Sequence, residues 1–136
     1  CGYNMANYFG HWLDMGDRLG SKAPRIFYVN WFRKSPEGKW LWPGFGENSR
    51  VLKWMCERVE GKIGARETPN GYLPNPGDID LTGLTLPSDN LKELLKVDPE
   101  LWRSEVPDIE KYFAQFGDRI PGPTREQLRE LANRLG

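Results

Sequence analysis

The residues best suited to chemistry lie in one segment, residues 40–50, which reads Trp-Leu-Trp-Pro-Gly-Phe-Gly-Glu-Asn-Ser-Arg. Gly44 and Gly46 flank Phe45, and a Pro-Gly-Phe-Gly turn places aromatic rings at a bend instead of along one face of an element. Rings held in this way can stack on a flat ligand, which contributes about 1–3 kcal/mol per nucleobase. They can also close a core, and residue types alone leave the two interpretations balanced.

Two polar residues follow these rings. Asn48 stands just before an apolar helical pattern, so its side chain can cap that helix by accepting from a backbone N–H. Its amide can also read the edge of a heterocycle, because it offers both a donor and an acceptor. Arg50 falls in the first helical turn, where the helix dipole disfavours a cation. That position hints at an anionic or carboxylate partner, although a solvated arginine is the commoner case.

The rest of the chain offers no catalytic constellation. His11 is the only histidine, and on an aromatic helix face it is more typical of packing or capping than of catalysis. Asp78 and Asp80 lie in a Gly/Pro-rich stretch that favours a solvated turn. Neither G-x-x-x-x-G-K-S/T nor G-x-G-x-x-G occurs, so a nucleotide pocket here has no phosphate cradle of its own. We therefore predict no catalytic and no metal-ligating residue in this chain.

Composition places the chain among ordinary globular domains. Its 136 residues, 38% hydrophobic and 28% charged, suit one domain with a modest core. The 19 basic and 19 acidic residues cancel, which argues against non-specific binding to nucleic acid or a membrane surface. No apolar stretch has the length of a membrane span, and no signal peptide opens the chain. Cys1 and Cys56 match no metal or redox spacing, which predicts two reduced thiols in a cytoplasmic protein.

The elements that position the loop follow from periodicity. Apolar residues at helical spacing predict one helix over residues 4–19 and a second from Val51 to Gly61. Residues 25–32 are aromatic and β-branched, and residues 39–42 suit a short return strand, which together predict a hairpin. The chain begins with Cys instead of Met, directly in a helical pattern, so we expect a piece of a longer protein.

The second half is predicted to be irregular and then helical. Residues 61–87 are rich in Gly and Pro, and a brief helix is expected at residues 91–95. Asp98 is predicted to cap a further helix. Thr124 with Gln127 matches a capping box before the last helix. The predicted fold class is α+β, mostly helical with a small β-hairpin or sheet.

Two sequence runs carry a family resemblance. Residues 30–34, Asn-Trp-Phe-Arg-Lys, and the uninterrupted residues 40–54 closely resemble the GTP-dependent phosphoenolpyruvate carboxykinases. Shorter matches extend this resemblance to about residue 73, and the tail is similar in length and layout. The resemblance implies the C-terminal part of a lyase of gluconeogenesis. Such a decarboxylase converts oxaloacetate and GTP to phosphoenolpyruvate, GDP and carbon dioxide with Mn²⁺ or Mg²⁺.

The resemblance also implies a guanine site. Phe32 and Phe45 match the rings that sandwich the base, and Trp40 falls where many members carry a Phe that walls the pocket. Gly44 belongs to the turn, and Asn48 matches a residue at the polar edge of the base. Free backbone groups of the turn can pair with the O6, N1–H and N2–H₂ of guanine, which adenine leaves unpaired. The family's phosphate loop and metal ligands are expected upstream of this chain.

The resemblance implies one C-terminal fragment, residues 1–136, of the larger mixed α/β nucleotide-binding domain of the carboxykinase fold. Residues 1–73 are expected to form a guanine-binding helix–hairpin–loop–helix region, and residues 74–136 an irregular segment and helical tail. The expected partners are a guanine nucleotide and the rest of the parent enzyme, with no nucleic acid and no membrane. The fragment alone is expected to be inactive and to self-associate. The alternative is a stand-alone module whose aromatic surface binds a protein or peptide.

Overall fold

The computed structural model describes residues 2–136, so the prediction for Cys1 lies outside the described residues. The chain divides into two compact units, one formed by residues 2–24 with Asp98–Gly136 and the other by Arg25–Val97. The described part holds five α-helices and one two-stranded antiparallel sheet, which confirms the mostly helical α+β class. None of its helices is long and apolar enough to span a bilayer.

The first unit consists of three helices: α1 (Met5–Leu19), α4 (Pro99–Ala114) and α5 (Gly122–Leu135). The side chain of Asn4 caps α1 by accepting from the backbone N of Ala6 at 2.9 Å. Asp98 caps α4 by accepting from the next two free backbone N–H groups, at 3.1 and 3.3 Å. The predicted first helix and the predicted Asp98 cap are therefore confirmed.

Aromatic rings fill the space between α1 and α4. Phe9 meets Phe113 and Phe116 edge-on, with ring centroids 6.3 and 6.5 Å apart. Tyr112 meets Phe116 at 5.2 Å in the same edge-to-face manner. Edge-to-face pairs place the positive rim of one ring on the negative face of another. This cluster, Phe9, Tyr112, Phe113 and Phe116, is called the helical ring cluster.

The start of α5 corrects one prediction. The helix begins at Gly122, behind Pro121, so Thr124 lies inside it and forms no capping box with Gln127. Pro123 near the helix start has a backbone φ already suited to a helix, which lets the helix begin earlier than the Thr signal indicated. The backbone N of Thr124 donates to the carbonyl of Pro121 at 3.1 Å instead.

The second unit contains α2 (Asn48–Val59), α3 (Ser88–Leu95) and the strands β1 (Arg66–Thr68) and β2 (Gly71–Leu73). The strands pair in register from Arg66 opposite Leu73 to Thr68 opposite Gly71. The second predicted helix and the brief helix near residues 91–95 are confirmed. The buried apolar residues of this unit are Leu41, Trp42, Trp54 and Ile79.

The predicted hairpin over residues 25–42 is largely wrong. Residues 24–30 form no regular element, and the only bridge found in the described part of this stretch joins Lys34 to Trp40. The side chain of Asn30 accepts from the backbone N of Phe32 at 2.9 Å, which turns the chain before a strand can continue. Without a partner strand, β-branched and aromatic composition is not enough to make residues 25–32 a strand.

Candidate functional site

A short arm, residues 32–42, carries two of the predicted site residues. The backbone N of Leu41 donates to the carbonyl of Arg33 at 3.0 Å, and the Lys34–Trp40 bridge lies between these positions and the tip. The arm brings the rings of Phe32 and Trp40 into edge contact, with centroids 6.0 Å apart and planes at 65°. Phe32 nevertheless remains 73% exposed, so most of its face is free.

A cation lies against the second ring of this arm. Lys34 places its Nζ 4.2 Å from the centroid of the Trp40 ring, within the range of a cation–π contact. The ammonium therefore covers part of Trp40 and adds positive charge next to the exposed rings. Sequence reasoning did not single out Lys34. Its signal is the position directly opposite Trp40 across the arm.

Helix α3 holds the arm in place. Arg33 donates from Nη1 to the carbonyl of Leu94 at 3.1 Å and from Nη2 to Glu93 Oε1 at 3.2 Å. Asn90 donates from Nδ2 to the carbonyl of Leu41 at 3.2 Å. The last carbonyls of a helix lack helical partners and favour a cation, so the end of α3 is a suitable anchor for Arg33.

The turn after the arm has an unusual backbone. Gly44 adopts φ 80° and ψ −166°, a region essentially restricted to glycine. Phe45 follows with φ 45°, the only non-glycine residue with a positive φ in the described chain. A left-handed conformation costs a non-glycine residue about 1–2 kcal/mol. The Phe45 ring is 97% exposed, so this strained backbone presents the ring to solvent.

Arg50 connects this turn to a neighbouring loop. Its Nε lies 2.5 Å from Glu47 Oε2 in the 3₁₀ turn that holds Phe45, and its Nη1 donates to the carbonyl of Asp80 at 2.7 Å. The carboxylate partner that the position of Arg50 suggested is therefore Glu47. Because the ion pair is only partly exposed, it restrains the turn more effectively than a fully solvated pair.

Local hydrogen bonds favour the ionised form of Asp80. The backbone N of Thr82 donates to Asp80 Oδ1 at 2.9 Å. This bond, then the Thr82 hydroxyl, and then the nearby charges of Lys53 and Arg50, lower the pKa of the Asp80 carboxyl below its ordinary value. The Asp80 carboxylate and Thr82 therefore form a local turn in the loop whose backbone carbonyl accepts from Arg50. This agrees with the solvated turn predicted for this stretch.

Asn48 does not cap α2. It is the first residue of that helix, and its Oδ1 accepts from the indole Nε1 of Trp42 at 2.9 Å. Trp42 is only 6% exposed, so a buried ring holds the amide oxygen. Within residues 2–136, no acceptor is recorded for Asn48 Nδ2, and the side chain is only half-buried. The cap interpretation is wrong, and the amide keeps a donor for another group.

The predicted site residues fall into two contacts and one exposed turn. The structure brings Phe32 to Trp40 and brings Asn48 to Trp42, while Gly44 shapes the turn that exposes Phe45. No contact of the Phe45 ring with another described ring is recorded. Sequence reasoning missed the role of Trp42. The spacing gave no signal, because residues two apart in an extended segment share one face, and Trp40 on that face is 53% exposed whereas Trp42 is buried.

Other parts of the described chain add no second site. His11 is exposed on α1, so the predicted packing or capping role is not found. No group of three His, Cys, Asp or Glu among residues 2–136 is arranged to hold a metal ion. A shallow cleft of about 240 Å³ on α2 is lined by Met55, Cys56, Val59 and Glu60, and it shares no residue with the exposed rings.

The geometry defines a class of site. An exposed ring on a strained turn, three residues before a half-buried amide with a free donor, suits a flat heterocycle that carries a hydrogen-bond acceptor on its edge. The ammonium of Lys34 suits a ligand that also carries negative charge, whereas the charge of Arg33 is paired with Glu93.

Sequence comparison identifies the family. The family described as phosphoenolpyruvate carboxykinase C-terminal P-loop domain matches residues 1–134, so the chain belongs to that family. The phosphoenolpyruvate carboxykinase (GTP) of Neocallimastix frontalis is 52% identical over 99% of this chain. The enzymes of that name from Chlamydia muridarum and Corynebacterium efficiens are 48% and 45% identical over 99% and 98% of it. The chain spans 22% of the length of each of these relatives.

Proposed function

We propose that this chain is the guanine-recognising C-terminal part of a GTP-dependent phosphoenolpyruvate carboxykinase. The parent enzyme converts oxaloacetate and GTP to phosphoenolpyruvate, GDP and carbon dioxide, a decarboxylation coupled to phosphoryl transfer. The observation that carries the proposal is the exposed, glycine-shaped turn that presents Phe45 to solvent, in a segment that also exposes the Phe32–Trp40 pair and in a chain of this family.

The rings supply the affinity for the base. Phe32 and Phe45 are both largely exposed. Exposure of such large apolar rings to water is unfavourable, and a ligand that covers them removes this cost. A purine stacked on these rings would bury their faces, with a gain of about 1–3 kcal/mol. Trp40, already in edge contact with Phe32, forms the wall beside the stack.

Polar groups supply the choice of base. Asn48 keeps an amide donor, while the carbonyls of the turn from Gly44 to Gly46 already accept hydrogen bonds within the turn. Guanine and hypoxanthine present an O6 acceptor, whereas adenine presents an N6–H₂ donor at the same place. A donor facing a donor leaves both unpaired, which costs about 1–3 kcal/mol. The site therefore favours GTP and ITP over ATP.

The chemistry belongs elsewhere in the parent enzyme. This chain contains no phosphate-loop sequence, and residues 2–136 contain no cluster that fits the Mn²⁺ or Mg²⁺ implied by the family. We therefore derive no step through a metal from these residues. They bind and orient the base while residues outside this chain transfer the phosphoryl group, and the 136-residue chain alone is proposed to be inactive. The parent enzyme is proposed to act in the cytoplasm.

Nucleotide titration tests the proposal. Full-length protein carrying this segment is titrated with GTP, ITP and ATP while Trp fluorescence is followed, because Trp40 lies beside the proposed stack. We expect GTP and ITP to bind at least tenfold more tightly than ATP. Equal affinity for the three nucleotides contradicts guanine recognition. A surface that binds peptides and no nucleotide supports the stand-alone module instead.

The isolated chain provides a second test. Turnover of oxaloacetate and GTP by the 136-residue chain contradicts its proposed inactivity. Light scattering on the same sample tests self-association, for which the support is the number of large apolar side chains that stay exposed, including Ile26, Tyr28 and Leu101. A monodisperse monomer at high concentration contradicts it.

A further inference from the structure

The hydrogen bond between Trp42 and Asn48 has a direction that chemistry fixes. An indole N–H only donates, so its partner must present an acceptor. The bond of 2.9 Å therefore turns the amide oxygen of Asn48 toward Trp42 and the amide NH₂ away from it. An unrestrained asparagine could present either group to a ligand, but this one presents the donor.

Trp42 is itself held firmly. Its ring is 6% exposed, and the preceding Leu41 is 4% exposed. Two hydrogen bonds fix the backbone of Leu41. Its N donates to the carbonyl of Arg33 at 3.0 Å, and its carbonyl accepts from Asn90 Nδ2 at 3.2 Å. The indole N–H therefore cannot readily follow the amide if Asn48 reorients.

We propose that Trp42 is the positioning residue that sets the nucleobase specificity of the site by fixing the polarity of the Asn48 amide. This inference rests on the proposed function. With the oxygen turned toward Trp42, the side of the Asn48 amide that faces away from Trp42 carries only donors, which match the O6 of guanine or hypoxanthine and oppose the N6–H₂ of adenine.

Rotation of the amide explains why the restraint matters. The amide oxygen has a second lone pair, but it lies on the side of Trp42, and the opposite side of the amide carries the NH₂. For Asn48 to accept from adenine on that opposite side, the amide must rotate, which would leave the buried indole N–H unpaired. Such an unpaired group reduces binding about five- to hundredfold. Without the Trp42 N–H the amide can turn freely, and ATP becomes a better ligand while GTP loses little.

The test is the ratio of kcat/KM for GTP to that for ATP in the full-length enzyme. Trp42→Phe keeps an aromatic ring and removes the N–H, and we expect the ratio to fall at least fivefold, mainly through a lower KM for ATP. ITP should follow GTP, because the two bases share O6. Both nucleotides are measured on one preparation, so a change in the folded fraction cancels in the ratio.

The chain provides a matched control in Trp54. It is 4% exposed, and its indole N–H has no recorded partner among residues 2–136. Trp54→Phe makes the same change in volume without removing a hydrogen bond, so the ratio should stay within twofold of wild type. In the Asn48→Ala background, Trp42→Phe should cause no further change in the ratio, because the two residues act as one unit.

An isosteric replacement covers the case in which Trp42→Phe does not fold. Incorporation of 3-benzothienylalanine at position 42 keeps the two-ring shape and replaces the N–H with sulfur, and we expect the same loss of discrimination. The inference is overturned if this variant or Trp42→Phe keeps the wild-type ratio while Asn48→Ala lowers it. If wild-type enzyme itself uses GTP and ATP equally, the proposed function fails as well, which distinguishes the two failures.

Discussion

The two units use the same kind of side chain for opposite purposes. In the helical ring cluster, Phe9 and Phe113 lie on the faces of α1 and α4, Phe116 lies in the turn just after α4, and Phe9 meets the other two rings in edge contacts. In the second unit, Phe32 and Phe45 lie on a short arm and a turn, and both stay largely exposed. The difference is in the backbone, because a helix directs every third or fourth ring to one face, whereas a glycine turn directs a ring away from its neighbours.

The means of support differ as well. The helical ring cluster is held by apolar contact between α1 and α4. The arm and turn are held by charged and polar bonds, from Arg33 to the end of α3 and from Arg50 to Glu47 and Asp80. Apolar burial stabilises a unit without directing its surface, while polar bonds position a surface that must stay open. Rings of the first kind should therefore govern stability, and rings of the second kind should govern ligand binding.

The largest expected effect is a loss of stability when a ring of the helical ring cluster is removed. Phe113→Ala removes a half-buried ring that touches Phe9, and we expect a loss of about 2–3 kcal/mol, somewhat below the value for a fully buried phenylalanine. Calorimetry on the full-length enzyme measures it as a lower Tm. The KM for GTP should not change, and a raised KM with an unchanged Tm would contradict the assignment of this cluster to stability.

The second prediction is the converse. Phe45→Ala removes an exposed ring, so the Tm should stay within one or two degrees of wild type, while loss of stacking should weaken GTP binding by about 1–3 kcal/mol. The steady-state KM for GTP and a fluorescence titration measure this loss. Tyr28→Ala is the matched control, because Tyr28 is similarly exposed in the same unit and is not a predicted site residue. An equal effect of both variants would rule out specific stacking.

Residue patterns anticipated the helices better than the arm. Asn4, Asp98 and the apolar periodicity are local signals, and α1 and α4 begin where these signals placed them. The strand at residues 25–32 failed because its extended composition had no partner strand, and the Asn30 turn ended it. A strand depends on a distant partner, whereas a helix satisfies its own backbone groups, so a helix is easier to predict from sequence than a strand.

The same distinction applies to the candidate site. The glycines around Phe45 are a local signal, and the exposed ring they indicated is present. The bond from Trp42 to Asn48 spans six residues through a 3₁₀ turn, and no residue pattern specifies which way that turn directs the amide. Helix capping was the usual expectation for an asparagine at that place, and the buried indole donor outweighed it.

A third prediction tests whether the turn backbone sets the exposed ring. Gly44→Ala places a side chain at φ 80° and ψ −166°, which costs about 1–3 kcal/mol in the native turn. The turn should relax and move Phe45, so we expect the KM for GTP to rise about tenfold with a small change in Tm. Gly46→Ala is the control, because Gly46 lacks a positive φ and a Cβ there meets nothing within 4 Å. If the two substitutions act alike, backbone strain does not position the ring.

The smallest expected effect concerns charge, which supports the turn and not the helical ring cluster. Hydrogen bonds from Thr82 lower the pKa of Asp80 in the folded protein below its ordinary value of 3.8. Its charge therefore contributes stability that is fully present above pH 3.8 and is lost as the pH falls through the lower folded pKa.

Asp80→Asn keeps an acceptor for the Thr82 N–H but removes the charge. Wild type should thus have a slightly higher Tm than Asp80→Asn at pH 7, and the difference should shrink below pH 3.8. A difference that grows as the pH falls would mean that the Asp80 charge opposes the folded loop.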